Sequence, residues 1–295
     1  MKIVLSRKGF DSAFGGCASP IFPGDEMLSL PIPEDSGFAR ANIRYGDLLS
    51  SVDGFPNVGA IVEQLTANHQ KPYSSNSLVH LDPHLDPNMY GRTTGWKALF
   101  GQIAAAQGHL RNQQVREGDL FLFYGLYREV DVNGKRIKFR PNTRTRHVIF
   151  GWMSIGEVVP IEEPADAEGW SREHPWGRYH AHLHGGKVKN NVLYVAASDC
   201  FCGLPGAGIF GKYSSQRCLT ASEESCSVWL LPKWFDPERC KEPLSYNNNR
   251  GKWTKTADGF LLRTKSPGQE YVLDTQCFPE AAAWAQHMIA AANSS

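Results

Sequence analysis

"GDLFLFYGLYREVDVNGKRIKFR", Gly118 to Arg140, carries the decision about the fold. The aromatic-rich run that follows Asp119 suits a pleated, buried surface, "VNGK" supplies a tight asparagine–glycine turn, and "RIKFR" brings the chain back antiparallel. The segments around this hairpin read in the same style. "RHVIFGWMSIGEVVPI", Arg146 to Ile161, is a strand pair or one long bent strand with glycine at the bends. "KIVL", "MLSLPI", "NNVLYVAA", "CSVWLLP" and "GFLLRT" are further short apolar strands.

Helical spacing is confined to three places. "VGAIVEQLTANH" (Val58 to His69) is a short helix, and "PEAAAWAQHMIAAA" (Pro279 to Ala292) is an amphipathic closing helix. "GWKALFGQIAAAQGHLRNQ" is the strongest, because Trp96, Leu99, Phe100, Ile103, Ala104 and Leu110 recur near helical spacing. Strands outnumber helices and do not alternate with them. The expected fold is therefore α+β: a mixed, largely antiparallel sheet, open or barrel-like, with a central and a C-terminal helix. The proline- and charge-dense "PIEEPADAEGWSREHPWGR" lies between similar strands, so it reads as a surface excursion within one domain, residues 1–295.

Composition narrows the function. With 41% apolar and 21% charged residues, 18 Pro and 28 Gly, the 295-residue chain has the make-up of a loop-rich globular protein. Lys and Arg number 31 against 30 Asp and Glu, so there is no global field to drive phosphate binding, and any nucleic-acid contact must come from a local patch. The apolar part of "MKIVLSRKGF" is too short for a signal-peptide core and no run approaches a membrane span, so a cytoplasmic protein with no membrane partner is expected. Seven cysteines, odd in number and irregular in spacing, argue against a disulfide framework or a structural zinc site. Cys200 and Cys202 in "SDCFCG" are poorly spaced to share a metal. No metal ligands are assigned from the sequence, and the cofactor is left open.

Four stretches carry groups suited to chemistry. "SLVHLDPHLDPNMYGR" repeats HLDP, and proline after each aspartate excludes helix. Extended alternation places His80, Asp82, His84 and Asp86 on one face, with Leu81 and Leu85 on the other. Imidazole and carboxylate make metal ligands and acid–base pairs, although a segment roughly 20 Å long cannot bring both ends to one ion unless the prolines turn it. The plain alternative is a loop whose carboxylates cap backbone amides. In "HPWGRYHAHLHGG", His180, His182 and His184 alternate along a strand face that suits a metal, a phosphate or a base edge, or simply water. After the first strand, Ser6, Arg7, Lys8 and Asp11 surround Gly9 and suit an anion or nucleotide, though not with P-loop spacing. On the central helix Gln102, Gln107 and His109 interrupt a small-residue surface, where glutamine amides can read a base edge or satisfy buried backbone.

Taken together, "VLSRKGFDS", "HLDP", "GWKALFGQIAAAQGHL", "GDLFLFYGLYREV", "RHVIFGWMSIGEV" and "NNVLYVAASD" resemble the nucleotide-modification-associated domain family, third type. The resemblance runs from Lys2 to about Asp199 and on to the closing helix. It implies a part in DNA base hypermodification in phages and bacteria, with nucleotide or DNA and other base-modification enzymes as partners. Carried over residue by residue, it marks Asp11, His80, Asp82 and His109 as catalytic candidates, and Ser6, Arg7, Lys8, Gln102 and Gln107 as substrate-binding ones. His184 joins the latter from the histidine cluster. His84 and Asp86, in the second HLDP, read as a turn.

Three functions compete. The first is an enzyme acting on a nucleotide or DNA base, with Arg7 and Lys8 on phosphate, Asp11 or Asp82 as base, and His80 or His109 as acid–base partner. A reader module resembling PUA- and ASCH-type barrels would instead stack a base on Trp152, Tyr124 or Tyr127, rings equally suited to core packing. A metal-dependent hydrolase would use the His/Asp clusters.

Overall fold

In a computed structural model the described residues are 1–35, 42–91, 93–201, 203–265 and 270–292. Their strands in chain order are β1 (Lys2–Arg7), β2 (Ser19–Ile21), β3 (Leu99–Gln102), β4 (Leu120–Asn133), β5 (Arg136–Phe139), β6 (Arg146–Pro160), β7 (Val192–Ala196), β8 (Asp199–Cys200), β9 (Leu204–Pro205), β10 (Ala207–Ile209), β11 (Val228–Leu231), β12 (Trp253–Lys255), β13 (Phe260–Arg263) and β14 (Glu270–Asp274). The helices are α1 (Val58–Thr66), α2 (Ala104–Asn112), α3 (Pro164–Glu173) and α4 (Glu280–Ala292).

The main sheet is ordered β14-β1-β4-β6-β7-β3, with β2 and β5 attached to β4 and β10 to β6. β1 and β2 run parallel to β4, while the other pairs are antiparallel. This is the expected α+β fold. The hairpin at the centre forms as read, with Asn133 opposite Arg136 across the turn. β6 is one long bent strand, its register shifting at Gly156, where a side chain would meet the Ala197 backbone at 2.7 Å.

Period-2 alternation divides the core between the two faces of the sheet. Val4, Phe121, Phe123, Phe100 and Tyr194 pack on one face; Ile3, Leu5, Leu122, Tyr124 and Trp152 face the other, against α4 and the β11-β13-β12 sheet. Ala281, Ala285, Met288 and Ile289 form the apolar stripe of α4, as the sequence spacing predicts. α1 begins at Asn57, whose Oδ1 accepts the Ala60 N–H at 3.0 Å, and buries Val58, Ile61, Val62 and Leu65.

Four expectations need correction. The sheet curls until its terminal strands β3 and β14 meet through side chains, but it does not close into a barrel. "MLSLPI" forms only isolated bridges, such as Ile21 with Met27. The excursion after β6 holds a helix, α3, started by Pro164 and anchored by buried Trp170. The supposed long central helix is a four-residue strand, β3, followed by the nine-residue α2. Leu99 and Phe100 are apolar because β3 is buried on both faces, a pattern that periodicity alone does not separate from a helix.

His147 is buried between Tyr124 and Trp229, and its Nδ1 accepts the Trp229 indole N–H at 3.0 Å. Burial, aided by Arg7, pushes its pKa down to about 3, so the ring is neutral when folded. The unfolded chain takes up that proton below about pH 6.5, so stability present above that pH is lost as the pH falls. Lowering the pH from 7 to 5 is expected to cost about 2 kcal/mol through this residue alone. His147→Gln, which keeps an acceptor for Trp229, should flatten the pH dependence of urea unfolding over that range.

Candidate functional site: an imidazole cluster on a buried aspartate

β3 is the wall on which the site is built. The HLDP segment lies along its outer edge: the His84 N–H donates to Leu99 C=O at 2.9 Å and the Leu99 N–H returns to His84 C=O at 3.2 Å. Two residues on, the Gly101 N–H donates to Asp82 Oδ1 at 2.7 Å. Asp82 is thereby held against a strand that belongs to the main sheet.

Three imidazoles converge on this carboxylate. His80 Nε2 lies 4.0 Å from Asp82 Oδ2, and its Nδ1 donates to Glu34 Oε2 at 2.8 Å. "HAHLH" forms a single 3₁₀ turn at Ala181–Leu183 rather than a strand, which turns His180 and His182 together onto Asp82. His182 Nε2 lies 3.7 Å from Oδ2, while its Nδ1 donates to Asn191 Oδ1 at 2.7 Å. The Asn191 amide is oriented by its own Nδ2–H, which donates to His182 C=O at 2.8 Å. His180 Nε2 sits 3.2 Å from Oδ1. Room for the His182 ring comes from Gly101, because any Cβ there would lie 2.2 Å from it.

Burial alone would raise the Asp82 carboxyl, but His180, His182 and His80 outweigh it and hold the group well below the usual carboxylate range. Burial pushes His182 down to about 3 against the pull of Asp82, so its ring is neutral. A buried carboxylate ringed by imidazoles can relay a proton or hold a cation. One ligand atom each from His80, Asp82 and His182 lie within 4.8 Å of one another.

The opposite face of β3 carries a second polar cluster. Gln102 Nε2 donates to Glu270 Oε1 at 2.5 Å, and Ser6 Oγ and Lys8 Nζ reach the same oxygen at 3.1 Å. Lys8 also lies over the Phe100 ring, 4.6 Å from its centre. Burial raises the Glu270 carboxyl, an effect that Lys8, Ser6 and Gln102 only partly offset.

The remaining candidates lie elsewhere. Alternation along β1 separates Arg7 from Ser6 and Lys8: Arg7 pairs with Asp11 at 2.7 Å, and Asp11 also caps the Ala13 and Phe14 amides. Gln107 accepts from the Tyr194 hydroxyl at 2.9 Å. His109 Nε2 meets Ser245 Oγ at 3.0 Å and its ring stacks on Tyr246. His184 Nε2 binds the Arg178 carbonyl. In the second HLDP, His84 is taken by Tyr179 and the Asp86 carbonyl, and Asp86 caps the Asn88 amide. Trp152, Tyr124 and Tyr127 are all buried. Cys202 lies outside the described residues.

Sequence reasoning set His180 and His182 beside His184 but did not join them to Asp82. It missed Glu34, Asn191 and Glu270 altogether. The histidine run was a usable signal; the other three stand in no motif.

The family model for nucleotide modification associated domain 3 matches residues 2–274. The chain belongs to this family. The matched span of this nucleotide modification associated domain runs from β1 through β14, and so takes in both clusters. Membership associates the chain with nucleotide modification. No curated protein and no solved structure matches it. Among the described residues of the domain, no helix is long and apolar enough to cross a membrane.

Lys8 is the cation that balances buried Glu270. Lys8→Met should destabilise the protein by about 3 kcal/mol at pH 8, because it strands a carboxylate. The deficit should shrink as the pH falls, because burial raises the carboxyl and the protonated form needs no counter-charge. Adding Glu270→Gln should restore most of the loss at pH 8, as read by thermal unfolding of the single and double variants.

Proposed function

We propose that the chain is an enzyme that modifies a nucleotide or a DNA base, with its chemistry at the cluster formed by His80, Asp82, His180 and His182. The convergence of these side chains carries the reading. They come from segments about a hundred residues apart, and desolvating a carboxylate among imidazoles costs several kcal/mol that an apolar core would not incur. Strongly perturbed, buried titratable groups gathered in this way are characteristic of working sites.

Family membership supports a nucleotide or its base as the substrate, and other base-modification enzymes, acting before or after it, are the proposed partners. His80 is the least buried of the three imidazoles and so the one nearest to an incoming group. Lys8, Ser6 and Gln102, together on the other face of β3, are the substrate-binding candidates that act as one unit. Arg7 and Asp11 are proposed in the looser role of shaping the opening loop. The described cysteines are free, as suits a cytoplasmic protein. A base-stacking reader gains no support, since the three rings it would use are inside the core.

Mass analysis of nucleosides from cells carrying the wild-type chain, Asp82→Asn or no chain tests this. One nucleoside should change mass only with the wild type, while Asp82→Asn keeps the fold and nucleic-acid binding. An identical nucleoside profile in all three would overturn the proposal.

A further inference from the structure

The structure assigns to His80, Asp82 and His182 a binding site for one first-row divalent transition-metal ion, held by His80 Nε2, Asp82 Oδ2 and His182 Nε2. This goes beyond the function proposed above: it rests on the same cluster but not on the identity of the substrate.

Hydrogen bonding decides which ring nitrogens face inward. His80 Nδ1 is 2.8 Å from a carboxylate oxygen, which only accepts, so this nitrogen carries the hydrogen. His182 Nδ1 faces Asn191 Oδ1, whose identity as oxygen is fixed by the Asn191 Nδ2–H bond to the His182 carbonyl. With a hydrogen on each Nδ1, the Nε2 atoms are the ones left to ligate, and they lie 4.0 and 3.7 Å from Asp82 Oδ2. A cation between them turns the same arrangement into ligation.

The two oxygens of Asp82 are divided in the way such a site requires. Oδ1 is occupied by the Gly101 N–H at 2.7 Å, with His180 Nε2 beside it at 3.2 Å. His180 Nδ1 accepts the His182 N–H, so its Nε2 carries the ring hydrogen and steadies the carboxylate instead of ligating. Oδ2 is left for the ion.

Donor set and spacing select the class of metal. Two imidazoles and one carboxylate suit zinc, iron(II), cobalt(II) or manganese(II) better than calcium or magnesium, which take oxygen. Ligands about 2.1 Å from a common ion lie roughly 3 to 3.5 Å apart; the separations of 3.7 and 4.0 Å to Oδ2, with all three atoms within 4.8 Å of one another, close to that range by side-chain movements of roughly 0.2 to 2 Å. Glu34 and Asn191, each accepting the outer Nδ1–H of a ligand histidine, form the supporting layer that orients metal-bound imidazoles. Three protein ligands leave positions open for water or substrate.

The test is titration of the full-length, chelator-treated protein with Zn²⁺ and with Co²⁺ under anaerobic conditions, followed by calorimetry, cobalt visible absorption and the thermal midpoint. One equivalent should bind, cobalt should show the absorption of a nitrogen- and oxygen-ligated ion, and the midpoint should rise. His182→Gln and Asp82→Asn should weaken binding at least 100-fold, Glu34→Gln between 10- and 100-fold, and the exposed His287→Ala on α4 not at all. Failure of the wild-type protein to take up a stoichiometric ion overturns the assignment whether or not the variants fold, as does unchanged affinity in a folded His182→Gln or Glu34→Gln. None of these readouts involves a nucleoside, so a metal-free protein that still alters a base would sink this inference and leave the proposed function standing.

Discussion

The bond from the Gly101 amide to the Asp82 carboxylate holds the site together. With the His84–Leu99 backbone pair, it ties the HLDP segment to a strand of the main sheet. By removing one carboxylate oxygen from competition it also determines which oxygen meets the imidazoles. A charge-assisted bond of this kind in a dry setting is stronger than an ordinary amide bond, and its loss would leave both an amide and a carboxylate unsatisfied. Gly101 has a second part in the same structure, since the absence of its side chain is what admits the His182 ring.

Two buried polar clusters therefore share one thin wall. Gly101 serves the imidazole cluster and Gln102, its neighbour, serves Glu270 and Lys8. Adjacent strand residues face opposite ways, so β3 puts the clusters on opposite sides and keeps their charges apart. Gln102 to Glu270 is also the contact at which the curled sheet meets its own far edge. A side-chain bond there, in place of a backbone ladder, leaves the sheet open where its polar groups collect.

Much of the scaffold could be read along the chain. The Asn133–Gly134 turn, the long bent β6 and the stripe on α4 follow from local rules of turn chemistry and periodicity. β3 carries helix-like spacing because apolarity on both faces erases the period that distinguishes the two. His80 and Asp82 were legible because proline after Asp82 marks a non-helical segment with ligating side chains. His182 was visible as one of three alternating histidines, but a 3₁₀ turn in place of a strand sent His184 to a backbone carbonyl and the other two to Asp82.

By itself the sequence determined the α+β class, the long strands β4 and β6 with several shorter ones, the helices α1 and α4, and the kinds of group available for chemistry, because these depend on residues close together in the chain. Only the tertiary structure decided which of those groups meet. Glu34, Asn191 and Glu270 hold their partners across separations that no local pattern encodes. Nor does any motif separate Arg7 from Lys8; the pleat of β1 does so, sending neighbouring side chains to opposite faces of the sheet.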